Sequence, residues 1–213
     1  MAARREKGFY RTLNSISSVD LFCDRPLKRI QGKGRLWEVD RLVLERKTTE
    51  GKHEYLVLWK GFSPYDATWE PVENMTSECV RLFYSPPMPD GGVLHSNVAV
   101  FRAEVEVLLK SRSRLPVTFY FRGDVFRYLF NFNDSNWHYL ERDQFPATYF
   151  LKGWDQLADM HGQGIKVFYP MKVRSFVSFT TKKYSRQPLP VLLPRAFQEK
   201  VTVSFVKVAL GDK

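Results

Sequence analysis

The chain has 213 residues, of which 44% are hydrophobic and 15% aromatic, so it can bury a core and is not expected to be disordered. That length suits two small domains. No apolar run approaches the ~20 residues of a membrane helix, and the start of the chain lacks the apolar segment of a signal peptide. We therefore expect an intracellular protein without a membrane span. The two cysteines, Cys23 and Cys79, lie far apart and outside any CxxC pattern, which predicts neither a zinc site nor a disulfide framework.

The net charge of +10 is distributed unevenly. Residues 1–35 hold nine Lys or Arg against three acidic residues, residues 36–96 hold six against ten, and residues 97–213 hold eighteen against ten. An acidic module between basic flanks suits a module that accepts a cationic peptide while its neighbours face polyanions. Contact with DNA or RNA through the basic regions is one hypothesis, and a solvated basic surface is the alternative.

The first half of the chain predicts one small domain at residues 36–85, preceded by a flexible basic arm at residues 1–35. Apolar and charged residues alternate with the period of a strand, two turns interrupt the alternation, and an apolar stripe at helical spacing follows. Thr76 is the expected N-cap of that helix. The predicted elements are strands at Trp37–Lys47, His53–Lys60 and Ala67–Pro71, and a helix at Thr76–Tyr84. They form a curled three-stranded sheet closed by a helix.

Residues 86–96 are rich in Pro and Gly and predict a linker, after which residues 97–213 form a basic second domain. Asn97–Lys110 is ambiguous, because its apolar residues recur at helical spacing while its valines favour a strand. The other predicted elements are strands at Leu115–Phe121, Ile165–Tyr169, Lys172–Thr181 and Val201–Val208, and a helix at Trp154–His161. The second domain is therefore mostly β or α+β, and the whole chain is of the α+β class.

The aromatic residues of the first domain point to a binding chemistry. A methylated lysine is a bulky cation that has lost hydrogen-bond donors, so a site that selects it needs electron-rich ring faces. Trp59 ends the second predicted strand, Phe62 follows round the turn, and Trp37 enters the sheet beside them. We interpret these three rings as an exposed cage, with packing in the core as the alternative. Tyr55 and Trp69 are assigned to the core.

Three segments carry a resemblance to a known family: Trp37-Glu38-Val39-Asp40, then Glu54 to Phe62 (EYLVLWKGF), then Thr68-Trp69-Glu70-Pro71 with Asn74. They resemble the chromodomain pattern of the heterochromatin-protein-one, Polycomb and chromodomain-Y-like families over about 50 residues. Those families read methylated lysine nine or lysine twenty-seven of histone H3. The resemblance implies a three-stranded module and a methylated H3 tail as the partner.

The same resemblance implies a role for each matching position. The cage is Trp37, Trp59 and Phe62, and Asp66 stands where an acidic residue supports the cation. Asn74 stands where a side-chain amide contacts the peptide backbone, and Leu36 to Val39, including Glu38, pair with the histone tail main chain to main chain. Leu36 and Thr76 form a mixed apolar and polar pair where the family places a matched one, so the choice between the two histone lysines stays open.

The second domain contains no HExxH, no GxSxG and no phosphate-cradling glycine loop, so we expect no catalytic residues, no cofactor and no metal. Tyr149 to Trp154, with Trp137 upstream, faintly resembles the strand-Gly-Trp-helix segment of the B-three-type plant DNA-binding domain. The leading hypothesis is a nuclear reader of methylated histone H3 that tethers its second domain to chromatin. The alternatives are a transcription-factor-like or retroelement-derived nucleic-acid-binding protein and an unrecognised enzyme in residues 97–213.

Overall fold

The computed structural model of the chain describes residues 37–180 and 196–211. The basic arm, Leu36 and Cys23 lie outside the described residues. The described residues separate into a first unit, residues 37–85, and a second unit, residues 86–180 and 197–211. None of the helices in these ranges is both long and apolar enough to cross a membrane.

The first unit is a small antiparallel sheet followed by one helix. Its strands are neighbours in the order β1-β2-β3, so each strand pairs with the next along the chain. The side-chain hydroxyl of Thr76 accepts a hydrogen bond from the backbone N–H of Cys79 (3.2 Å) and so caps the helix as expected. The bounds are β1 (Val39–Lys47), β2 (His53–Trp59), β3 (Thr68–Pro71) and α1 (Ser77–Tyr84). The predicted architecture of this half is confirmed.

The second unit has two layers, with helices on one side of a sheet. The strands run in the order β4-β8-β7-β5, and the short β6 also pairs with β7. Both helices contribute apolar side chains to a core that they share with the inward residues of the strands. The bounds are α2 (Gly91–Lys110), β4 (Val117–Tyr120), α3 (Gly123–Phe130), β5 (His138–Leu140), β6 (Gln156–Ala158), β7 (Gly164–Thr180) and β8 (Ala196–Ala209).

The expected α+β class is confirmed, but several elements of the second unit differ from the sequence prediction. The ambiguous segment Asn97–Lys110 is helical, and its helix starts earlier, at Gly91. Asp90 caps that helix by accepting a hydrogen bond from the N–H of Gly92 (2.9 Å). Residues 91–96, which were predicted to be the second half of a linker, therefore belong to the helix. The two strands predicted between residues 165 and 181 are one long strand, and α3 and β5 were not predicted.

The helix predicted at Trp154–His161 is wrong. Asp159 accepts hydrogen bonds from the backbone N–H groups of His161 and Gln163 (2.9 Å each), which closes a hairpin between β6 and β7. A Cβ atom on Gly164 would lie 1.8 Å from the carbonyl oxygen of Leu157, so the close pairing in this hairpin requires glycine. The strand-Gly-Trp-helix arrangement behind the plant-domain resemblance is therefore absent here.

Candidate functional site

The site is built on β2, whose alternate residues face α1. Successive residues of a strand point to opposite faces, so Tyr55, Val57 and Trp59 share one face. All three are buried in a cluster with Cys79 and Phe83 of the helix. Trp59, at the end of the strand, is only 4% exposed. One of the two indole rings of the predicted cage is therefore anchored in the core of the first unit.

A chain of hydrogen bonds fixes the edge of the Trp59 ring. Its Nε1–H donates to Thr68 Oγ1 (3.0 Å), and the Thr68 hydroxyl donates to Glu70 Oε1 (2.6 Å). The Asn74 amide donates to the other carboxylate oxygen of Glu70 (3.4 Å). Glu70 is only 6% exposed, and a buried carboxylate is stable when donors of this kind satisfy it. The network links β3 to the indole and to Asn74.

Two further rings meet beside Trp59. The Phe62 N–H donates to the Trp59 carbonyl (3.1 Å) in the turn that follows β2. The Lys60 N–H donates to the Glu38 carbonyl (2.9 Å), and this second bond holds the start of the first unit against the end of β2. The rings of Trp37 and Phe62 contact each other with centroids 4.7 Å apart and planes at 79°. Trp37 also packs against the buried cluster that contains Trp59, while Phe62 is 44% exposed. The three aromatic residues thus gather at one end of the sheet.

The structure reverses the burial predicted for two tryptophans. Trp59 was expected to be exposed and is buried, whereas Trp69 was expected in the core and is half-buried, with the Arg46 guanidinium 4.0 Å above its ring. Residues directly opposite each other in an antiparallel pair share a face, and Trp69 stands opposite Leu56. Leu56 points away from the face that carries Trp59, so Trp69 lies on the other side of the sheet.

The other predicted site residues have the following partners in the structure. Glu38 is exposed and its carboxylate pairs with Lys60 (2.8 Å), and Val39 begins β1 opposite Trp59. The Asp66 carboxylate accepts from the Ser63 N–H (3.2 Å) in the turn that follows Phe62. Asn74 is held by Glu70, and Leu36 lies outside the described residues.

Two residues of this network were not predicted. Thr68 and Glu70 were named only as part of the matching motif, and neither was given a role. Their signal is the position of a Thr and a Glu two residues apart on a short strand, which places both side chains on one face. Thr76 is buried and caps α1, so its hydroxyl is part of the domain structure.

A second polar network ties α1 to the sheet. The Tyr84 hydroxyl donates to Glu45 Oε2 (2.8 Å) and lies 3.2 Å from the Tyr55 hydroxyl. Burial raises the pKa of Tyr84 above its usual range, and the hydrogen bonds to Tyr55 and Glu45 raise it further. Glu45 also bonds His53. Among residues 37–180 and 196–211, no group of three or more His, Cys, Asp or Glu could hold a metal ion.

Comparisons with known proteins identify the class of the first unit. The family model of the Chromo (CHRromatin Organisation MOdifier) domain matches residues 37–85. Chromodomain Y-like protein 2 of Mus musculus is 48% identical over 42 residues, which cover 20% of this chain and 8% of that protein. Chromobox protein homolog hpl-2 of Caenorhabditis elegans is 34% identical over 50 residues, 24% of this chain and 27% of that protein.

The three-stranded sheet, the closing helix and these matches define a chromatin-associated reader module. The first half of the chain carries a chromodomain. The chain matches less than a tenth of the length of these chromodomain Y-like relatives, and the family model matches within the first unit.

Proposed function

We propose that the chromodomain binds a methylated lysine of a histone H3 tail in the corner formed by Trp37, Trp59 and Phe62. The observation that carries the proposal is the near-perpendicular contact of Trp37 and Phe62 beside the buried Trp59. The protein then acts by binding rather than by catalysis, in the nucleus, and brings its second unit to chromatin.

The chemistry of the corner suits a methylated ammonium group. Such a cation is attracted to ring faces within about 6 Å of their centroids, and its methyl groups gain from leaving water. Two ring planes at 79° form adjoining walls, so one cation in the corner can contact both. Trp59 is held by core packing and by Thr68, so its ring loses little conformational freedom when the ligand binds.

The carboxylate of Asp66 adds a negative charge to the turn that follows Phe62. Its hydrogen bond to the Ser63 N–H orients it within the turn that carries Phe62. Residues 36–96 as a whole hold ten acidic residues against six basic ones. A basic histone tail is therefore attracted to this module over a distance of about one Debye length, ~8 Å at physiological salt.

The tail main chain is expected to add a strand beside the start of β1. β1 is an edge strand of the three-stranded sheet, so Leu36 to Val39 can pair with an extended peptide. Asn74 donates its amide N–H to Glu70, and we expect its side-chain oxygen to accept a hydrogen bond from the peptide backbone. Strand pairing supplies affinity for any extended tail, and the aromatic corner supplies selectivity for the methylated lysine.

The experiment is a titration of the full chain with short labelled H3 peptides that carry unmodified or trimethylated lysine nine or lysine twenty-seven. Phe62→Ala should weaken binding of the trimethylated peptide about tenfold or more, since it removes one wall of the corner. The fold should persist because Phe62 is exposed. Tyr65→Ala is the matched control, an exposed ring in the same loop, and should bind like the parent chain.

Two outcomes would refute the proposal. The first is equal affinity of the parent chain for unmodified and trimethylated peptides. The second is unchanged affinity in Phe62→Ala with its circular dichroism spectrum intact. A preference for one of the two trimethylated peptides would identify the histone lysine that this chromodomain reads.

A further inference from the structure

The sheet of the second unit has one covered face and one open face. The inward residues of the strands lie in the same buried core as the apolar residues of α2 and α3. On the central strands β7 and β8, these inward residues are Met171, Val173, Val201 and Val203. Their neighbours along each strand must point to the opposite face, away from the helices.

The open face carries rings and cations in contact across paired strands. Tyr120 on β4 stands opposite Lys200 on β8, whose Nζ lies 5.2 Å from the Tyr120 ring centroid. Two pairs along the same strands, the hydroxyls of Thr118 and Thr202 are 2.7 Å apart, so these two residues share a face with Tyr120 and Lys200. Tyr120 is 61% exposed.

The other half of the face repeats the pattern. Tyr139 on β5 stands opposite Lys172 on β7, and the Lys172 Nζ lies 5.6 Å from the Tyr139 ring and 5.2 Å from that of Trp137. Tyr139 is 62% exposed. Arg174, two residues beyond Lys172 on the same strand, shares its face and is exposed.

The two halves are continuous because β7 and β8 are neighbours in the sheet. The hydrogen bond from the Leu210 N–H to the Gly164 carbonyl (2.9 Å) fixes their antiparallel alignment at one end. Met171 and Val173 point inward with Val201 and Val203, so Lys172, Arg174 and Lys200 point outward together. We call this surface the open face; its members are Tyr120, Trp137, Tyr139, Lys172, Arg174 and Lys200.

The charge on the open face has one sign. Within the described parts of β4, β5, β7 and β8, the outward positions include no Asp or Glu. Glu199 precedes Lys200 but points to the helix side, where its carboxylate accepts a hydrogen bond from the Gly123 N–H (2.7 Å). The face is therefore complementary to a polyanion and also offers exposed aromatic rings.

We propose that the open face binds single-stranded nucleic acid, with bases stacked on Tyr120, Tyr139 and Trp137 and phosphates contacted by Lys172, Arg174 and Lys200. Unpaired bases stack on exposed aromatic side chains, and a cationic groove or surface tracks the backbone between them. In a duplex the bases are already stacked on each other, so these rings would have no base face to contact. The combination of exposed rings with cations thus favours a single strand over a duplex.

The experiment measures binding of the full chain to a labelled mixed-sequence single strand at low salt, as DNA and as RNA, with the duplex of the same sequence alongside. Tyr120→Ala/Tyr139→Ala should weaken single-strand binding about tenfold or more, because each lost ring removes a stacking partner. Tyr120→Phe/Tyr139→Phe keeps the ring faces and should bind like the parent chain. Whichever single strand binds more tightly, DNA or RNA, identifies the class of nucleic acid that the open face prefers.

A second pair of variants, which lose the same number of positive charges, tests the cations. Lys172→Gln/Lys200→Gln should lower the slope of log affinity against log salt by roughly 1.4, since each neutralised phosphate contributes about 0.7 for single strands. Lys110→Gln/Arg112→Gln removes the same charge from α2 and the loop after it and should leave the slope unchanged. Vesicles containing phosphatidylserine serve as a comparison anion.

The proposal is overturned if no single strand binds, or if the duplex binds as tightly as the single strand. It also fails if the tyrosine-to-alanine variant keeps full affinity, or if the charge-matched control loses as much as Lys172→Gln/Lys200→Gln. Preferential binding to the vesicles would assign the open face to a membrane surface instead. Because the open face lies in the second unit, none of these results depends on methyl-lysine binding by the chromodomain.

Discussion

The two units of this protein use aromatic residues in contrasting ways. In the chromodomain, Trp37, Trp59 and Phe62 converge at one end of a sheet whose strands are consecutive in the chain. In the second unit, rings are spread across an open sheet whose edge strand β4 pairs with β8, some 84 residues further along. A converging set of rings encloses one small cation, whereas a spread set offers several separate stacking surfaces.

The comparison shows when the local sequence is enough to predict which strands pair. In the chromodomain each strand pairs with the next, so turns and alternation determine the pairing. In the second unit the pairing of β4 with β8 depends on contacts between distant segments, which leave no local signal. Each unit also has its own buried core. A substitution that destabilises one core should therefore leave the stability of the other unit unchanged.

The largest effect is expected from Phe101→Ala. Phe101 is fully buried in the second unit, and its ring contacts six other aromatic rings: Phe119, Phe121, Phe130, Phe145, Phe150 and Trp154. Removing it should lower the free energy of unfolding of that unit by about 4 to 5 kcal/mol. Hydrogen exchange on the full chain should show faster exchange in α2 and β8, with the chromodomain amides unchanged.

The control for that substitution is Val107→Ala on the same helix. Val107 is exposed, so its loss should change stability by less than about 0.5 kcal/mol. If Phe101→Ala also accelerated exchange throughout β1 to β3, the two cores would not be energetically independent and the comparison above would be wrong.

The next effect distinguishes the two tryptophans of the chromodomain. Trp59→Ala empties a buried site and should cost about 3 to 4 kcal/mol. Trp69→Ala removes a half-buried ring and its contact with Arg46, which should cost about 1 to 2 kcal/mol. Denaturant unfolding of both variants measures which substitution lowers the free energy of unfolding more. An equal or reversed order would contradict the burial described for these rings.

The smallest effect concerns Tyr84 and the alkaline range. Its pKa is raised in the folded protein, mainly by burial, so stability is present below pH 10, the usual pKa, and falls as the pH rises above it. Tyr84→Phe should cost about 1 kcal/mol at neutral pH through the lost bond to Glu45 and should flatten the alkaline fall. The control is Tyr139→Phe, which removes an exposed hydroxyl and should leave the free energy of unfolding at neutral pH unchanged within about 0.5 kcal/mol.

The chromodomain and its three aromatic residues follow from the sequence. Alternation, turn residues and the Thr76 cap define the elements, and the motif places Trp37, Trp59 and Phe62 near one another. The strand period could also have shown that Trp59 shares a face with Tyr55, since the two are four residues apart. The prediction placed Tyr55 in the core and Trp59 in an exposed cage, although both lie on the buried face of β2, so the burial of Trp59 was predicted wrongly.

The sequence by itself determined the local order of the chromodomain, because each of its pairings joins neighbouring segments whose register is set by a short turn. Only the tertiary structure decided which face Trp69 occupies, that Glu70 is buried between Thr68 and Asn74, and that the rings and cations of β4, β5, β7 and β8 share one face. These features arise from strand pairing and packing between segments far apart in the chain. They are stabilised only when those segments pack together in the folded core, so no local stretch of sequence specifies them.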